Sequence, residues 1–478
     1  MGNRPRTLSI DILDDDSLLH IFHLYRPFLL DEDDTLNLSC LWGGSRGWVR
    51  GRWWYGLAHV CRRWRNIILG SASYLGLSLV CTYGTPIADM LTHSPHLPLT
   101  VDYYSSRGIT TNDKEGIIFA LKQRECVLRV RICVHVTNLQ KFIAAMDDEY
   151  PILQFLVIEL PIEDKSTILM FPETFQAPHL RSLSLVGFAL PIGCPLLATA
   201  VGLVTLSLHM VHPSTYFHPN TLLQWISLMP QLEMLLIVFG FSIPSRDAER
   251  RLTDTPIIPH VTLPNLHHFE FRGVPSYLEA LVHQITTPRL ERLVIDFYNQ
   301  LSFFVPRLLQ FMDAAENLTF GSAEIGFFSG GVKVWVYPSE EAEGHGLTPY
   351  VFCWHLDWQV SSVAQIFNSL SQVFSAVEHL TIRHEEHTQS SKGHNEVDRT
   401  ERHRLLRPFS NVKTLRIGNG LVEEFSRCLQ SEDGELPLEA LPELQELTYS
   451  GIGNIGDVFT SFADVRKNAG RHITLVSQ

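Results

Sequence analysis

The sequence lacks the marks of secreted and membrane-spanning proteins. None of its eight cysteines stands in a CxxC pair, and they are scattered through apolar runs. Cysteines used in this way are typical of small core side chains in a reducing compartment rather than of a disulfide framework. No apolar run approaches the ~18 residues of a membrane-spanning helix, and the N-terminus contains no secretory apolar region. We expect no membrane partner, and a location in the cytoplasm, the nucleus or both.

Positive charge is also scarce. The chain has 38 Lys and Arg against 51 Asp and Glu, a formal net charge of -13 at pH 7, and its one basic stripe lies between Arg46 and Arg65. Nucleic-acid binding depends on clustered cations, so we expect no nucleic-acid partner. In contrast, 45% of the 478 residues are apolar and 10% are aromatic, which is enough for a large buried core.

Catalytic and cofactor motifs fail in their context. The segment Gly451 to Gly456 matches the GxGxxG dinucleotide fingerprint, but the next strand ends in Ser477-Gln478 and supplies no acidic residue for a ribose. The segment His384 to His387 has its histidines one residue too close for a zinc-protease helix. No nucleophile elbow and no phosphate loop occur. We therefore expect a non-enzyme with no catalytic residue, no cofactor and no metal site.

The body of the chain contains a repeated pattern. An apolar residue, two variable ones, an apolar residue, one variable and a last apolar residue recur ten times, at steps of 23 to 35 residues and one step of 62. This spacing is mostly near or slightly above that of leucine-rich repeats. The copies are Leu153-Leu156-Ile158, Leu180-Leu183-Leu185, Leu203-Leu206-Leu208, Leu232-Leu235-Ile237, Leu266-Phe269-Phe271, Leu290-Leu293-Ile295, Ala315-Leu318-Phe320, Val377-Leu380-Ile382, Val412-Leu415-Ile417 and Leu444-Leu447-Tyr449.

Each copy predicts a short strand with one buried face, because its last two apolar residues stand two apart and point to the same side. The segments between copies have helical spacing, for example at 221–229, 275–285 and 363–374. Strand, crossover helix and next parallel strand, repeated, predict an α/β fold: an irregular leucine-rich-repeat-like solenoid over residues 85–478. Residues 321–358 alternate like strands and predict an inserted β-hairpin or meander, and the charged span 385–403 predicts a solvated loop.

In such a solenoid, the variable residues beside the second apolar residue of each copy face away from the core, on a concave side. Small or apolar residues in the first copies and mixed charge in the later ones suit a protein partner better than a polyanion. At any single position, an ordinary exposed strand residue is the alternative. The candidate partner surface consists of Phe155, Val157, Met234, Leu236, His268, Glu270, Arg292, His379, Arg416 and Glu446.

The first part of the chain follows a different pattern. Three acidic residues and Ser17 precede the apolar run Leu18 to Phe22, which predicts a capped helix. Farther on, apolar residues recur at helical steps from Leu57 to Ile68. We predict two or three short amphipathic helices in a module over residues 9–80, with an acidic, glycine-rich insertion at about 26–52.

The order of Leu13, an acidic pair, Leu18-Leu19-His20-Ile21-Phe22 and Val60-Cys61-Arg62-Arg63-Trp64-Arg65 resembles the F-box, the helical domain that binds a Skp-type adaptor in cullin-RING ubiquitin ligases. The similarity is greatest to fungal, basidiomycete-type F-box proteins, including the tail Tyr74 to Leu79, although Asp14 stands where the family usually has proline. The resemblance implies a Skp-type adaptor and, through it, a cullin as partners. The adaptor would be contacted by Leu13, Leu18, Leu19, Ile21, Phe22, Val60, Cys61 and Trp64.

Two functions remain open at this point. In the first, the chain is the substrate-recognition subunit of a Skp/cullin/F-box-type ubiquitin ligase, and its repeats bind an unknown protein substrate. In the alternative, it is a scaffold for protein–protein interaction outside any ligase, and its N-terminal helices only cap the solenoid. Asp14 and the long insertion favour the alternative, whereas the joint pattern of module and repeats favours the ligase subunit.

Overall fold

The computed structural model describes residues 13–26, 52–93, 97–104, 109–161, 169–190, 194–211, 217–240, 260–298, 305–328, 330–338, 346–352, 356–384, 404–418, 421–429, 441–450 and 458–477. The chain divides into two compact units, Met1–Val201 and Gly202–Gln478, and each is described by itself. Three segments singled out in the sequence lie almost wholly outside the described residues: the insertion at about 26–52, the charged span 385–403 and the GxGxxG motif at 451–456.

The first unit begins with four short helices: α1 (Asp15–Tyr25), α2 (Trp53–Ala58), α3 (Arg62–Gly70) and α4 (Ala72–Leu75). Helix α1 begins where the sequence predicts, because Asp14 Oδ1 accepts a hydrogen bond from Ser17 N at 2.7 Å. Helix α4 ends at Gly76, whose φ of 59° is a left-handed conformation that favours glycine. The helical character predicted for this region is therefore present.

Five parallel strands follow in the first unit, and their order in the sheet is their order in the chain. They are β1 (Leu79–Cys81), β2 (Leu99–Tyr104), β3 (Val127–Cys133), β4 (Phe155–Glu159) and β5 (Ser182–Val186). The helices between and after them are α5 (Ile87–His93), α6 (Thr111–Leu121), α7 (Val136–Ala144) and α8 (Pro195–Thr199). Thr110 and Asp113 form a capping box at the start of α6. The repeat pattern begins only at β4 and misses β1, β2 and β3; β1 is only three residues long, and β2 buries Thr100 and Asp102.

The second unit is also α/β. Its strands are β6 (Thr205–Val211), β7 (Met234–Phe239), β8 (Val261–Thr262), β9 (His268–Gly273), β10 (Ile285–Thr286), β11 (Arg292–Tyr298), β12 (Ser322–Phe328), β13 (Gly331–Tyr337), β14 (Gly346–Phe352), β15 (His379–His384), β16 (Thr414–Ile417), β17 (Glu446–Tyr449) and β18 (Thr474–Ser477). Its helices are α9 (Pro219–Ser227), α10 (Pro275–Val282), α11 (Pro306–Asp313), α12 (Leu356–Ser369), α13 (Ser371–Ser375), α14 (Val422–Leu429) and α15 (Thr460–Asn468). Helices α9, α10 and α11 all begin with proline, which is favourable at the first helical position.

Most neighbouring strands of the second unit are parallel, and the strand order is β6-β7-β9-β11-β14-β13-β12-β15-β16-β17-β18. The meander β12–β14 is inserted in reverse: β14 pairs in parallel with β11, β12 pairs in parallel with β15, and both pair antiparallel with β13. The three strands lie within the predicted segment 321–358, whereas Leu356, at its end, already belongs to α12. Gly346 has a φ of 107°, and a Cβ there would lie 2.0 Å from Val336 O, so only glycine fits this start of β14.

The strands of the second unit have two different faces. On one, Phe269 and Phe271 of β9 contact Phe311 of α11 and Tyr277 of α10, with ring centroids 6.3 and 5.7 Å apart. This face contains the apolar residues of the repeat pattern and forms the core with the helices. The alternate residues of β9 and β11–β17 point to the opposite side, which we call the open face.

Nine of the ten pattern copies end in strands: β4, β5, β6, β7, β9, β11, β15, β16 and β17. The strand predicted at Ala315-Leu318-Phe320 is wrong, because Ala315 N and Leu318 N form turn hydrogen bonds to Met312 O and Ala315 O, and β12 begins only at Ser322. Ala315 and Leu318 are buried in this turn. Apolar spacing alone does not distinguish a buried turn from a strand. The solenoid predicted over residues 85–478 stays a prediction, and the boundary between the two compact units, at Val201 and Gly202, falls inside that range.

Candidate functional site

Helix α1 has an inner apolar face that holds the helical module together. Leu18 and Phe22, one helical turn apart, are buried, and the Phe22 ring meets the Trp64 ring of α3 edge-on, with centroids 4.9 Å apart. Leu18 and Phe22 were predicted to contact the adaptor. Their burial makes that prediction wrong, since both side chains are occupied inside the chain.

A second apolar face of α1 points to solvent. Ile21, Leu24 and Tyr25 are 44%, 69% and 63% exposed, and their spacing places them on one side of the helix. Val60, in the turn between α2 and α3, is 58% exposed. We call Ile21, Leu24, Tyr25 and Val60 the outer apolar set. A surface helix normally has one apolar face, so a second exposed one indicates an interaction surface.

The remaining predicted docking residues have mixed positions. Leu13, Leu19 and Trp64 are half-buried, and Cys61 is exposed, with its Sγ accepting a hydrogen bond from Trp64 N at 3.5 Å. Sequence reasoning missed Leu24 and Tyr25. The signal was available, because both stand three or four positions after Ile21 and so lie on the same side of α1.

Asp14 is an exposed helix cap. Hydrogen bonds from the side chain and then the backbone of Ser17 lower the pKa of the Asp14 carboxyl, and the nearby Arg63 lowers it further. Arg63 of α3 donates to Leu13 O at 2.6 Å and to Asp15 Oδ1 at 2.8 Å, so it ties the start of α1 to α3. Asp14 thus fixes the start of the helix and is not buried within the chain.

The helical module is also tied to the sheet of the first unit. Arg52 donates to Val80 O at 3.1 Å and to Thr85 Oγ1 at 2.7 Å, and Trp54 Nε1 donates to Ser78 O at 3.3 Å. Both arginine bonds reach β1 or the turn that follows it. The module therefore has a defined position on the first strand, which is compatible with docking and with capping.

The candidate partner surface divides into a buried and an exposed part. Phe155, Met234, Leu236, His268 and Glu270 are buried, so the prediction that they face a partner is wrong. β7 and β9 are flanked on both sides by strands whose side chains cover them. Val157 and Arg292 are half-buried. His379, Arg416 and Glu446 are exposed as predicted, since short threonines flank them on β15–β17.

Glu270 lies in a group of charged residues on the open face of β9, β11 and β13. Burial and the nearby Asp296 carboxylate raise its pKa to about 7, against the opposing effect of Arg272, Arg292 and Lys333. Asp296 forms an ion pair with Arg272. Burial also holds the pKa of His268 at about 3, so this histidine is neutral at physiological pH.

A cleft of about 640 Å³ opens on the open face at the start of β15–β17. His379 Nδ1 is 2.7 Å from Thr414 Oγ1, and Thr448 Oγ1 donates to Glu446 Oε1 at 3.1 Å. Ser322 Oγ lines the cleft, is buried, and has no hydrogen-bond partner in the part of the chain that the structure describes. Arg416 and Glu446 present opposite charges to an occupant. The cleft can therefore bind a polar ligand through side-chain hydrogen bonds and charge.

Comparisons with known proteins identify no family: the sequence matches no protein-family model, and the comparison with curated proteins gives no significant match. Among the described residues, no group of three or more His, Cys, Asp and Glu could hold a metal ion. No helix in the described ranges has the length and apolar character needed to cross a membrane. The cysteines of these ranges are all free, and Cys61, unlike the buried Cys81, Cys194 and Cys428, is exposed.

Proposed function

We propose that this chain is the substrate-recognition subunit of a Skp/cullin/F-box-type ubiquitin ligase. The module α1–α4 binds a Skp-type adaptor, and the open face of the second unit binds a protein substrate. The chain contributes binding and positioning, and the chemistry of ubiquitin transfer belongs to other subunits. The observation that carries this proposal is the outer apolar set, in the same segment whose sequence resembles the F-box.

The energetics of the outer apolar set support docking. Leaving large apolar side chains in water costs about 1.5–3 kcal/mol each relative to full burial. Ile21, Leu24 and Tyr25 stand at positions i, i+3 and i+4 of α1. Apolar anchors with this spacing are typical of helices that bind in an apolar groove of a partner. A partner with an apolar groove would bury them together. The adaptor contacts are therefore Ile21, Leu24, Tyr25 and Val60, around a module core of Leu18, Phe22 and Trp64.

The scaffold function is the second candidate, and the bonds from Arg52 and Trp54 to the region of β1 favour it. These bonds give the module a structural role as a cap on the first strand. A cap, however, needs only its inner side, and it gives no reason for an outer apolar set. Capping and docking use different residues of the module, so they are compatible in one protein.

Adaptor binding by the full chain separates the two candidates. We expect a purified Skp-type adaptor to bind the chain in titration calorimetry, and the triple variant Ile21→Asp, Leu24→Asp, Val60→Asp to reduce affinity by about a hundredfold or more. Phe119→Asp is the matched control, because Phe119 of α6 is 41% exposed and lies outside the module. Absence of binding, or equal losses in the triple variant and the control, would leave the scaffold function.

A further inference from the structure

The inserted meander contains a cluster of one aromatic ring and two cations on the open face. The Trp335 ring of β13 lies 5.0 Å from Lys333 Nζ and 5.3 Å from the guanidinium carbon of Arg383. The Trp335 ring lies over Gly326 of the adjacent strand β12, where a Cβ would be 2.9 Å from the ring. Phe328 packs edge-on against it, at 6.0 Å. The glycine thus makes room for a half-buried tryptophan between two cations.

On the strands β13 to β17, Lys333 and Arg416 form no ion pair with a described residue. Arg383, in contrast, forms an ion pair with Glu324. Burial lowers the pKa of Lys333, and the Asp296 and Glu270 carboxylates offset this shift only in part, because Arg292 and Arg272 act against them. An incoming anion would complete the compensation of Lys333 and would find an exposed partner in Arg416.

The cluster and the cleft belong to one surface. Strand register places Trp335 beside Glu324 of β12, Glu324 beside Thr381 of β15, Thr381 beside Arg416 of β16, and Arg416 beside Thr448 of β17. These residues form one row across five strands. The ring therefore stands at one end of the row, and the unpaired guanidinium of Arg416 stands in the cleft near the other.

The charge of this face differs from that of the whole chain. The strands β9 and β11–β17 present five cations and four carboxylates on it, in a protein whose net formal charge is -13. Two of the carboxylates, Glu270 and Asp296, are buried. Tryptophan and arginine are the residues most enriched in interface hot spots. The charged residues are Arg272, Arg292, Lys333, Arg383 and Arg416, with Glu270, Asp296, Glu324 and Glu446.

We propose that the open face from β13 to β17 binds a carboxylate-rich segment of a protein partner, with Lys333 and Arg416 as its anion contacts and Trp335 as its apolar contact. This inference rests on the proposed role of the open face in substrate binding and names the chemistry that the face reads. The meander supplies half of the site, which gives the insertion in the repeat rhythm a function in recognition.

Fluorescence anisotropy with the full chain tests this inference. The probes are two labelled octapeptides, one alternating glutamate and serine and the other alternating lysine and serine. We expect the acidic peptide to bind at least about tenfold more tightly and to weaken as salt is raised. Lys333→Glu and Arg416→Glu should each reduce its affinity by roughly fivefold or more.

The matched control is Arg427→Glu, which makes the same charge change on α14, where Arg427 is 67% exposed. It should leave the affinity for the acidic peptide within about twofold. No preference for the acidic peptide, or equal losses in Arg416→Glu and Arg427→Glu, would overturn the inference. Displacement of the peptide by a single-stranded oligonucleotide at equal affinity would overturn it too, in favour of a general polyanion surface. Adaptor binding through the outer apolar set is a separate measurement, so the two proposals can fail independently.

Discussion

Glu270 shows how one side chain can couple the stability of the second unit to pH. It lies directly between Leu236 of β7 and Val294 of β11, so its nearest cross-strand neighbours are apolar. Arg272, Arg292 and Lys333 reduce the cost of its negative charge, and Asp296 increases it. The balance leaves a buried carboxyl whose pKa of about 7 lies well above the ordinary 4.5.

This raised pKa predicts the direction of a pH effect. The folded state binds the Glu270 proton more tightly than the unfolded state, so the contribution of this group to stability is complete below about pH 4.5 and is lost as pH rises to about 7. Glu270→Gln removes the charge that forms as pH rises. The free energy of unfolding of the variant, relative to that of the parent, should therefore be higher at pH 8 than at pH 5 by on the order of 2 kcal/mol. Urea unfolding at the two pH values measures this.

His268 has a lowered pKa, so it contributes to the pH dependence of stability with the opposite sign. This contribution is present in both the variant and the parent, and it cancels when the two are compared at each pH. Glu316→Gln is the matched control, since Glu316 is exposed in the same unit. It should leave the pH dependence of the free energy of unfolding unchanged. A pH dependence that is the same in Glu270→Gln and in the parent would contradict the assignment of the effect to Glu270.

At the scale of the element, α1 combines a buried apolar face and an exposed apolar face on eleven residues. The sequence pattern Leu18-Leu19-His20-Ile21-Phe22 gives apolar residues on more than one side of the helix. Which side is buried depends on where α3 and Trp64 lie. The helix itself was therefore predictable from the cap and the period, whereas the assignment of Leu18 and Phe22 to the inner face was not.

The two faces of α1 predict opposite responses to the same truncation. Leu18→Ala should lower the free energy of unfolding by about 2–4 kcal/mol, because it leaves a cavity beside α3. Leu24→Ala should change stability by less than about 0.5 kcal/mol, since the side chain is 69% exposed. Thermal unfolding of both variants checks this. A large loss in Leu24→Ala would mean that the outer apolar set packs against the chain itself.

The meander is a second element: its antiparallel strands are predictable from the local sequence, but its position in the sheet is not. Alternating apolar residues and the glycines near 330 predict antiparallel strands. Nothing in that pattern states that β14 pairs with β11 and β12 with β15, which reverses the order of three strands in the sheet. That reversal brings Trp335 into the same row as Arg416, and it exists only through long-range pairing.

For the whole molecule, the two compact units predict unfolding that is not a single two-state transition. We expect scanning calorimetry to give two transitions, or a calorimetric enthalpy above the van't Hoff enthalpy. Leu18→Ala should shift the transition of the first unit, and Leu278→Ala, which truncates a buried side chain of α10, should shift that of the second. A single transition displaced equally by both variants would show that the chain unfolds as one cooperative body.

The sequence by itself determined the α/β class, the positions of most repeat strands and the capped start of α1. These depend on the period of apolar residues and on nearby hydrogen bonds, which involve only neighbours in the chain. Only the tertiary structure decided the division at Val201 and Gly202, the burial of Met234 and Glu270, and the exposure of Leu24 and Arg416. The reason is physical: a strand residue that faces away from the helices is exposed or buried according to the side chains of the strands beside it, and those strands are distant in sequence.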